Sequence, residues 1–220
     1  VCGVVGRQLP MRSRGIFSKV RELGFLAKAK QQRQVMKPGQ DFSTVNCAYR
    51  RFVVEAVGGF NEELVACEDQ EIAHRILKAL GCQIVYQPNA VVFHEVENGL
   101  RAIARKELRQ GLGLGYCDSL YGAWRAKRLL SNLFIAYLLM ISLSLLLWAL
   151  LRVEAAITLV YAFLSAALIV DLAYFLRAMI RTKNPLVWLA SLVYYPVVTA
   201  SHLIGFFFGR RFPKLAFVKS

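Results

Sequence analysis

This chain of 220 residues has no excess of cysteine or glycine and has little proline. It has five cysteines, 15 glycines and six prolines, which excludes a collagen-like, low-complexity or disulfide-rich scaffold. The cysteines are scattered singly, with no C-x-x-C pair, and their odd number argues against a closed set of disulfides. We therefore expect reduced cysteines in a region that faces the cytosol. They are Cys2, Cys47, Cys67, Cys82 and Cys117.

Charged residues are also few, at 19% of the chain, whereas hydrophobic residues make up 56%. This balance is too apolar for an ordinary soluble domain and too hydrophobic for a disordered chain. The length allows one ordinary domain, or one small domain and a further region. The composition favours the second arrangement.

The net charge of +14 is unevenly spread along the chain. Residues 1–40 carry nine Lys and Arg against one acid, and residues 41–131 carry eleven of each sign. The eight basic residues of 132–220 mostly flank apolar runs, a pattern that an anionic membrane surface favours. A nucleic-acid binder would more often group basic and aromatic residues on one folded face. We therefore expect membrane lipids, and no nucleic acid, among the partners.

Three apolar runs fill the second half of the chain. Each is about as long as, or longer than, the roughly 20 residues that a helix needs to cross a bilayer. One such run would fit a buried helix of a soluble protein, but three in succession predict a membrane protein. The predicted transmembrane region is 132–209, with a basic tail at 210–220. Its spans are about 132–151, 155–176 and 186–208.

Basic residues cluster before the first span and after the second, which places the region before Leu129 and the 177–184 loop on the cytoplasmic side of the inner (plasma) membrane. The turn between these spans has only Arg152 and Glu154. Pro196 divides the third run into halves too short to span alone, so a full crossing and a re-entrant segment both stay open. The basic residues are Arg125, Lys127, Arg128, Arg177, Arg181 and Lys183.

The first 120 residues alternate short apolar, β-branched runs with helical patterns, which predicts α/β packing but is too short for a full doubly wound domain. The basic helical pattern at 16–36 fits either a helix on anionic lipid or one that covers a cleft. Residues 121–131 read as a basic amphipathic juxtamembrane segment. Predicted strands are 1–6, 44–48, 83–87 and 90–94, and predicted helices are 50–57, 68–80 and 99–130.

Glu68 and Asp69 are adjacent acids at the start of a predicted helix. Acids in a first turn commonly cap free N–H groups and complement the helix dipole, and by spacing alone this role would be preferred. The other reading is that one carboxylate projects into a cleft and takes a proton from a hydroxyl group. The nearby Gly58-Gly59 turn would let a substrate approach the backbone closely.

The motifs between Asn46 and His94, in their order and spacing, resemble the C-terminal half of a family 2 glycosyltransferase domain of the GT-A fold. They closely resemble its membrane-associated bacterial and archaeal members, including succinoglycan-type enzymes that build cell-surface polysaccharides. The resemblance covers roughly residues 1–120, and implies a partial α/β GT-A domain, without its nucleotide-binding half, followed by an α-helical transmembrane region. The motifs are N-C-A-Y-R-R, V-G-G-F-N-E-E-L, E-D-Q-E-I-A-H-R and Y-Q-P-N-A-V-V-F-H.

The resemblance implies inverting transfer of a sugar from a nucleotide-sugar donor to a lipid-linked or polysaccharide acceptor. Asp69 matches the general base of the family, and Glu68 its neighbour, which would orient it or bind acceptor hydroxyls. His94 matches a position that supplies a metal ligand or a diphosphate contact in some GT-A enzymes. Further positions that match the substrate-binding side are Asn46, Arg50, Arg51, Gly58, Gly59 and Arg109.

One departure from the family pattern concerns the donor site. The family implies a divalent metal, Mg²⁺ or Mn²⁺, held by a D-x-D motif, but the four aspartates of this chain form no such motif. We therefore expect a piece of a longer enzyme that lacks the donor site by itself. Two alternatives stay open: an inactive, membrane-anchored scaffold or acceptor-binding protein, and a small transporter subunit. The transporter is motivated by Asp171, Pro196 and His202 within the apolar runs.

Overall fold

The structure, a computed structural model, describes residues 1–11, 15–31, 35–36, 43–64, 66–151 and 154–217. The 152–153 turn used in the orientation argument lies outside this part, as does the side chain of Asp171.

Three strands and seven helices are described. The N-terminal region holds all three strands, and the C-terminal region is helical throughout. Short 3₁₀ turns cover Thr44–Asn46 and Pro213–Phe217. In chain order the elements are β1 (Gly3–Pro10), α1 (Ile16–Gln31), β2 (Cys47–Tyr49), α2 (Arg51–Ala56), α3 (Glu68–Ala79), β3 (Ile84–His94), α4 (Leu100–Tyr121), α5 (Arg125–Leu151), α6 (Glu154–Arg181) and α7 (Pro185–Arg211).

The three strands form one mixed sheet in the order β2-β1-β3, with β1 antiparallel to β2 and parallel to β3. Two strands were predicted on either side of Pro88-Asn89, but the structure keeps them as the single strand β3. The register shifts between Gly6 and Arg7, so the residues around Pro88 bulge out of the pairing. A bulge accommodates a proline because the unpaired residue needs no N–H donor.

Asn46 bridges the two strands at this bulge. Its side-chain amide donates hydrogen bonds to the carbonyl oxygens of Arg7 (3.1 Å) and Ala90 (2.8 Å). A Cβ atom on Gly6 would overlap the Asn46 amide, so the close approach depends on glycine at that position. The predicted substrate residue Asn46 therefore satisfies backbone groups that the bulge leaves unpaired.

The sheet core joins β1 and β3 to α2 and α3 through buried residues that include Val5, Val53, Ile72 and Ile84. At its edge Cys2 and Cys82 form a disulfide, with their Cα atoms 5.9 Å apart. The prediction that all cysteines are reduced is wrong for this pair in the structure. Strand pairing brings the two together, since the Cys2 N–H donates to the Gln83 carbonyl, and sequence spacing cannot show such a contact.

The predicted helix at 99–130 is two helices in the structure. α4 ends at Tyr121, Gly122 adopts a left-handed conformation, and α5 begins at Arg125. The carboxylate of the fully buried Asp118 stabilises the turn by accepting hydrogen bonds from the Trp124 N–H and the Arg128 guanidinium. The predicted juxtamembrane segment 121–131 is thus this turn plus the first turns of α5.

Two of the described helical stretches are long and apolar enough to cross a membrane by length and composition, Arg125–Leu150 and Pro185–Arg211. α6 is a third long helix of 28 residues. α7 continues through Pro196 as one helix.

α7 packs against α4 with backbone nearly touching backbone. A Cβ atom on any of four glycines, Gly111 and Gly115 of α4 or Gly205 and Gly209 of α7, would come within 3.0 Å of the other helix's backbone. Pairs of small residues four positions apart allow this distance because they lie on one helix face. We call these four residues the glycine seam.

Candidate active site

A cavity of about 850 Å³ opens beside the start of α3. Its walls come from β1, α1, the 43–45 segment, residues 66–70, His94, α4, the start of α5, and α7. Of the predicted site residues, the structure brings Asp69, Glu68, His94 and Arg109 together around it.

Asp69 is half-buried, with both carboxylate oxygens held by backbone donors. Oδ1 accepts a hydrogen bond from the Gln70 N–H (2.8 Å) and Oδ2 accepts one from the Thr44 N–H (3.3 Å). Burial, and secondly the neighbouring Glu68 carboxylate, raise its pKa to about 6, because both disfavour the charged form. Asp69 therefore accepts hydrogen bonds from backbone groups and also lies at the cavity, and its role as a base stays a prediction.

The α4 side of the cavity is rich in cations. Arg105, Lys106 and Arg109 lie on α4 and Lys127 lies near the start of α5. Guanidinium and ammonium groups grouped in this way favour phosphate or carboxylate ligands.

Arg21 joins α1 to this side through ion pairs. Its guanidinium contacts Glu97 (2.9 Å) and Glu107 (3.4 Å), and the Lys106 ammonium also contacts Glu97. α1 thus covers one side of the cavity, where Val20 and Arg21 belong to its lining. Of the two readings of the 16–36 pattern, this arrangement matches the helix that covers a cleft.

α7 forms a wall of the cavity that sequence reasoning missed. Tyr194, Val198 and His202 line it, and the His202 Nδ1 lies 3.4 Å from a carboxylate oxygen of Glu107. A spacing of four residues places all three on one helix face. The polar side chains of Tyr194 and His202 on that face were the available signal, but in the sequence His202 motivated only the transporter alternative.

Five predicted substrate residues do not line the cavity: Asn46, Arg50, Arg51, Gly58 and Gly59. The exposed Arg51 pairs with Glu55 at 2.7 Å along α2, and the exposed Arg50 precedes that helix.

Gly58 and Gly59 adopt φ values of 80° and 77° in a turn that Arg75 holds in place. The Arg75 guanidinium donates to the carbonyl oxygens of Val57 and Gly59, and the buried Glu71 carboxylate orients it at 2.6 Å. Positive φ values favour glycine, so the backbone conformation of this turn accounts for both glycines.

His94 ends β3 at the cavity, and burial followed by the nearby Lys106 ammonium lowers its pKa. Among the residues that the structure describes, no three His, Cys, Asp or Glu side chains group in a way that could hold a metal ion. The ammonium group close to His94 further disfavours a cation there. The described residues therefore do not fit the divalent metal that the family resemblance implied.

The protein is thus an α/β protein: a mixed sheet packs with α3, the first turn of α3 places the Asp69 carboxylate at a cavity that is also lined by cations, and long apolar helices follow. The model of glycosyl transferase family group 2 matches residues 2–202, and the chain belongs to this family. Its general chemistry is glycosyl transfer between a sugar donor and an acceptor. The comparison with curated proteins finds no match.

Proposed function

We propose that this protein is a membrane-bound inverting glycosyltransferase that moves a sugar from a nucleotide-sugar donor to a lipid-linked or cell-surface polysaccharide acceptor. The observation that carries the proposal is Asp69: its carboxylate lines the cavity, is held from two sides by backbone N–H groups, and has a pKa raised to about 6. A base with this pKa is mostly ionised at neutral pH and still takes up a proton readily.

In the proposed reaction, Asp69 accepts the proton of an acceptor hydroxyl as that oxygen attacks the anomeric carbon of the donor sugar. The bond from this carbon to the diphosphate oxygen breaks, and the nucleoside diphosphate leaves with the electron pair. Attack opposite the leaving group inverts the anomeric configuration. Glu68, beside Asp69 at the cavity, would accept hydrogen bonds from the acceptor and orient it.

The cations on the α4 side of the cavity supply the complementary charge. Arg105, Lys106, Arg109 and Lys127 would bind the phosphate groups of a donor or of a lipid-linked acceptor, since charge-assisted hydrogen bonds to phosphate oxygens are strong. They would also stabilise the negative charge that develops on the leaving diphosphate.

We further propose that residues 1–120 form the catalytic part on the cytoplasmic face and that residues 132–209 form the membrane region. Three basic residues at the start of α5, Arg125, Lys127 and Arg128, support this orientation. A lipid-linked acceptor fits because α7, an apolar helix, lines the same cavity as Asp69.

The first test is Asp69→Asn in the natural full-length protein in isolated membranes. We expect sugar transfer to fall by about 10²-fold or more, the size of a general-base contribution, while nucleotide-sugar binding survives. Glu62→Gln, an exposed acid outside the cavity lining, is the matched control and should keep wild-type turnover.

Near wild-type turnover in Asp69→Asn would remove this residue from the mechanism. Acceptor binding without transfer by the wild-type protein would support the alternative, an inactive membrane-anchored scaffold.

A further inference from the structure

Cys67, directly before the two acids, has an unusual backbone. Its φ of 66° and ψ of 17° are left-handed, and among the described residues it is the single non-glycine residue with a positive φ. This conformation is disfavoured for residues with a Cβ atom, so the surrounding structure must hold it.

α4 supplies that support from two positions. The Cys67 thiol donates a hydrogen bond to the Gln110 carbonyl oxygen at 3.2 Å. A Cβ atom on Gly113 would come within 3.0 Å of the Ala66 carbonyl group and 3.3 Å from the Cys67 Cβ. The loop before α3 is therefore pressed directly against the backbone of α4.

The side chain of Cys67 also lies in a buried cluster with Leu114, Cys117 and Phe206. Its carbonyl oxygen accepts the hydrogen bond from the Glu71 N–H that closes the first turn of α3. Since that turn contains Asp69, the direction of the Asp69 carboxylate depends on the dihedral angles of Cys67.

We propose that Cys67 is a positioning residue for the transfer reaction: its left-handed backbone, clamped by Gln110 and Gly113, aims the Asp69 carboxylate at the acceptor hydroxyl. The inference rests on the proposed function of Asp69. It assigns no contact with substrate to the cysteine, which acts through Asp69 alone.

The test compares Cys67→Gly with Cys67→Val in the natural full-length protein. Glycine adopts a left-handed conformation readily, whereas a β-branched residue resists it. Cys67→Gly should keep kcat within a few-fold of wild type. Cys67→Val should lower kcat by about 10²-fold, the effect of a misplacement of about 1 Å, with the donor KM unchanged.

Cys117→Val is the matched control, because Cys117 belongs to the same buried cluster but lies within helix α4. Both valine variants enlarge the cluster, and only Cys67→Val opposes the local backbone conformation. Gly113→Ala gives a second, independent perturbation of the clamp and should lower kcat in the same way as Cys67→Val.

A readout without catalysis is hydrogen exchange at Thr44, whose N–H donates to Asp69 Oδ2. If the carboxylate turns away, this amide should exchange faster in Cys67→Val than in Cys67→Gly or Cys117→Val.

Equal kcat losses in Cys67→Val and Cys117→Val would overturn the inference, as would equal losses in the glycine and valine variants of Cys67. Unchanged exchange at Thr44 in all variants would do so too, even if the protein proved inactive in transfer. Failure of the proposed function is a separate result, and it is seen when Asp69→Asn transfers sugar at the wild-type rate.

Discussion

At the scale of single residues, opposing effects act on Asp69. Its two backbone hydrogen bonds favour the ionised carboxylate, whereas burial and the Glu68 charge favour the neutral acid. Burial and the Glu68 charge outweigh the hydrogen bonds, because the pKa of Asp69 is raised to about 6 from an ordinary value of about 4. Cys47 and Tyr49 on β2 also face this carboxylate, but burial raises their pKa values, so neither titrates near pH 6.

This balance predicts an acid limb in the pH profile of transfer. A general base works when deprotonated, and the pKa of the free enzyme governs kcat/KM, so kcat/KM should be level above pH 7 and fall about tenfold for each pH unit well below 6. Glu68→Gln removes the like charge and should move the limb to lower pH. In His94→Gln the acid limb should stay at the same pH, which would show that it reports Asp69 and not His94, the histidine that also lines the cavity. A profile that is flat to pH 5, or a limb that moves upward in Glu68→Gln, would contradict this assignment.

Single residues also show where prediction from sequence stops. Asp69 at a helix start was predictable because acids, loop and helix are adjacent in the chain. The bridge that Asn46 makes between Arg7 and Ala90 could not be predicted, since one of its partners belongs to a bulge 44 residues further on. The left-handed Cys67 had no sequence signal, because its conformation is imposed by Gln110 and Gly113 of a distant helix.

At the scale of elements, the helices and strands were largely predicted, whereas their mutual packing was not. α2 and α3 follow from local periodicity and glycine stops. The glycine seam between α4 and α7 joins segments about 90 residues apart along the chain. Only the packing of α4 against α7 shows why these positions are glycine.

The seam predicts that Gly205→Ala destabilises the protein. Its Cβ would meet the Leu108 carbonyl oxygen, and since backbone cannot move aside as a side chain does, we expect a loss of about 1–3 kcal/mol in the free energy of unfolding. Gly24→Ala on α1 is the control, because no atom lies within 4 Å of its added Cβ, and it should stabilise slightly through helix propensity. Thermal unfolding in detergent measures both. Equal effects of the two substitutions would contradict a tightly packed seam.

At the scale of the whole molecule, the packing of α7 bears on the number of membrane crossings. Along the seam α7 lies against α4, which carries Arg101, Arg105, Lys106 and Arg109. Four cations beside a spanning helix would be costly in hydrocarbon. The end of α6 is also close to the catalytic part, since the Arg181 guanidinium donates to the Leu23 carbonyl of α1 at 3.2 Å. Although α7 is apolar and long enough to span, these contacts favour an α7 that belongs to the proposed membrane region by lying at its cytoplasmic surface without crossing.

We therefore predict that α5 and α6 cross the membrane as a hairpin and that the basic tail returns to the side of Asp69. This arrangement puts Arg177, Arg181, Arg210 and Arg211 on the cytoplasmic side, as basic residues prefer. A fluorescent reporter that folds only in the cytosol should be active after Lys214, and a phosphatase that folds only outside should be active after Leu151. The phosphatase fused after Lys214 and the fluorescent reporter fused after Leu151 should both be inactive. Phosphatase activity at the tail would mean that α7 crosses the bilayer, and its contacts with the charged face of α4 could not then exist in the membrane.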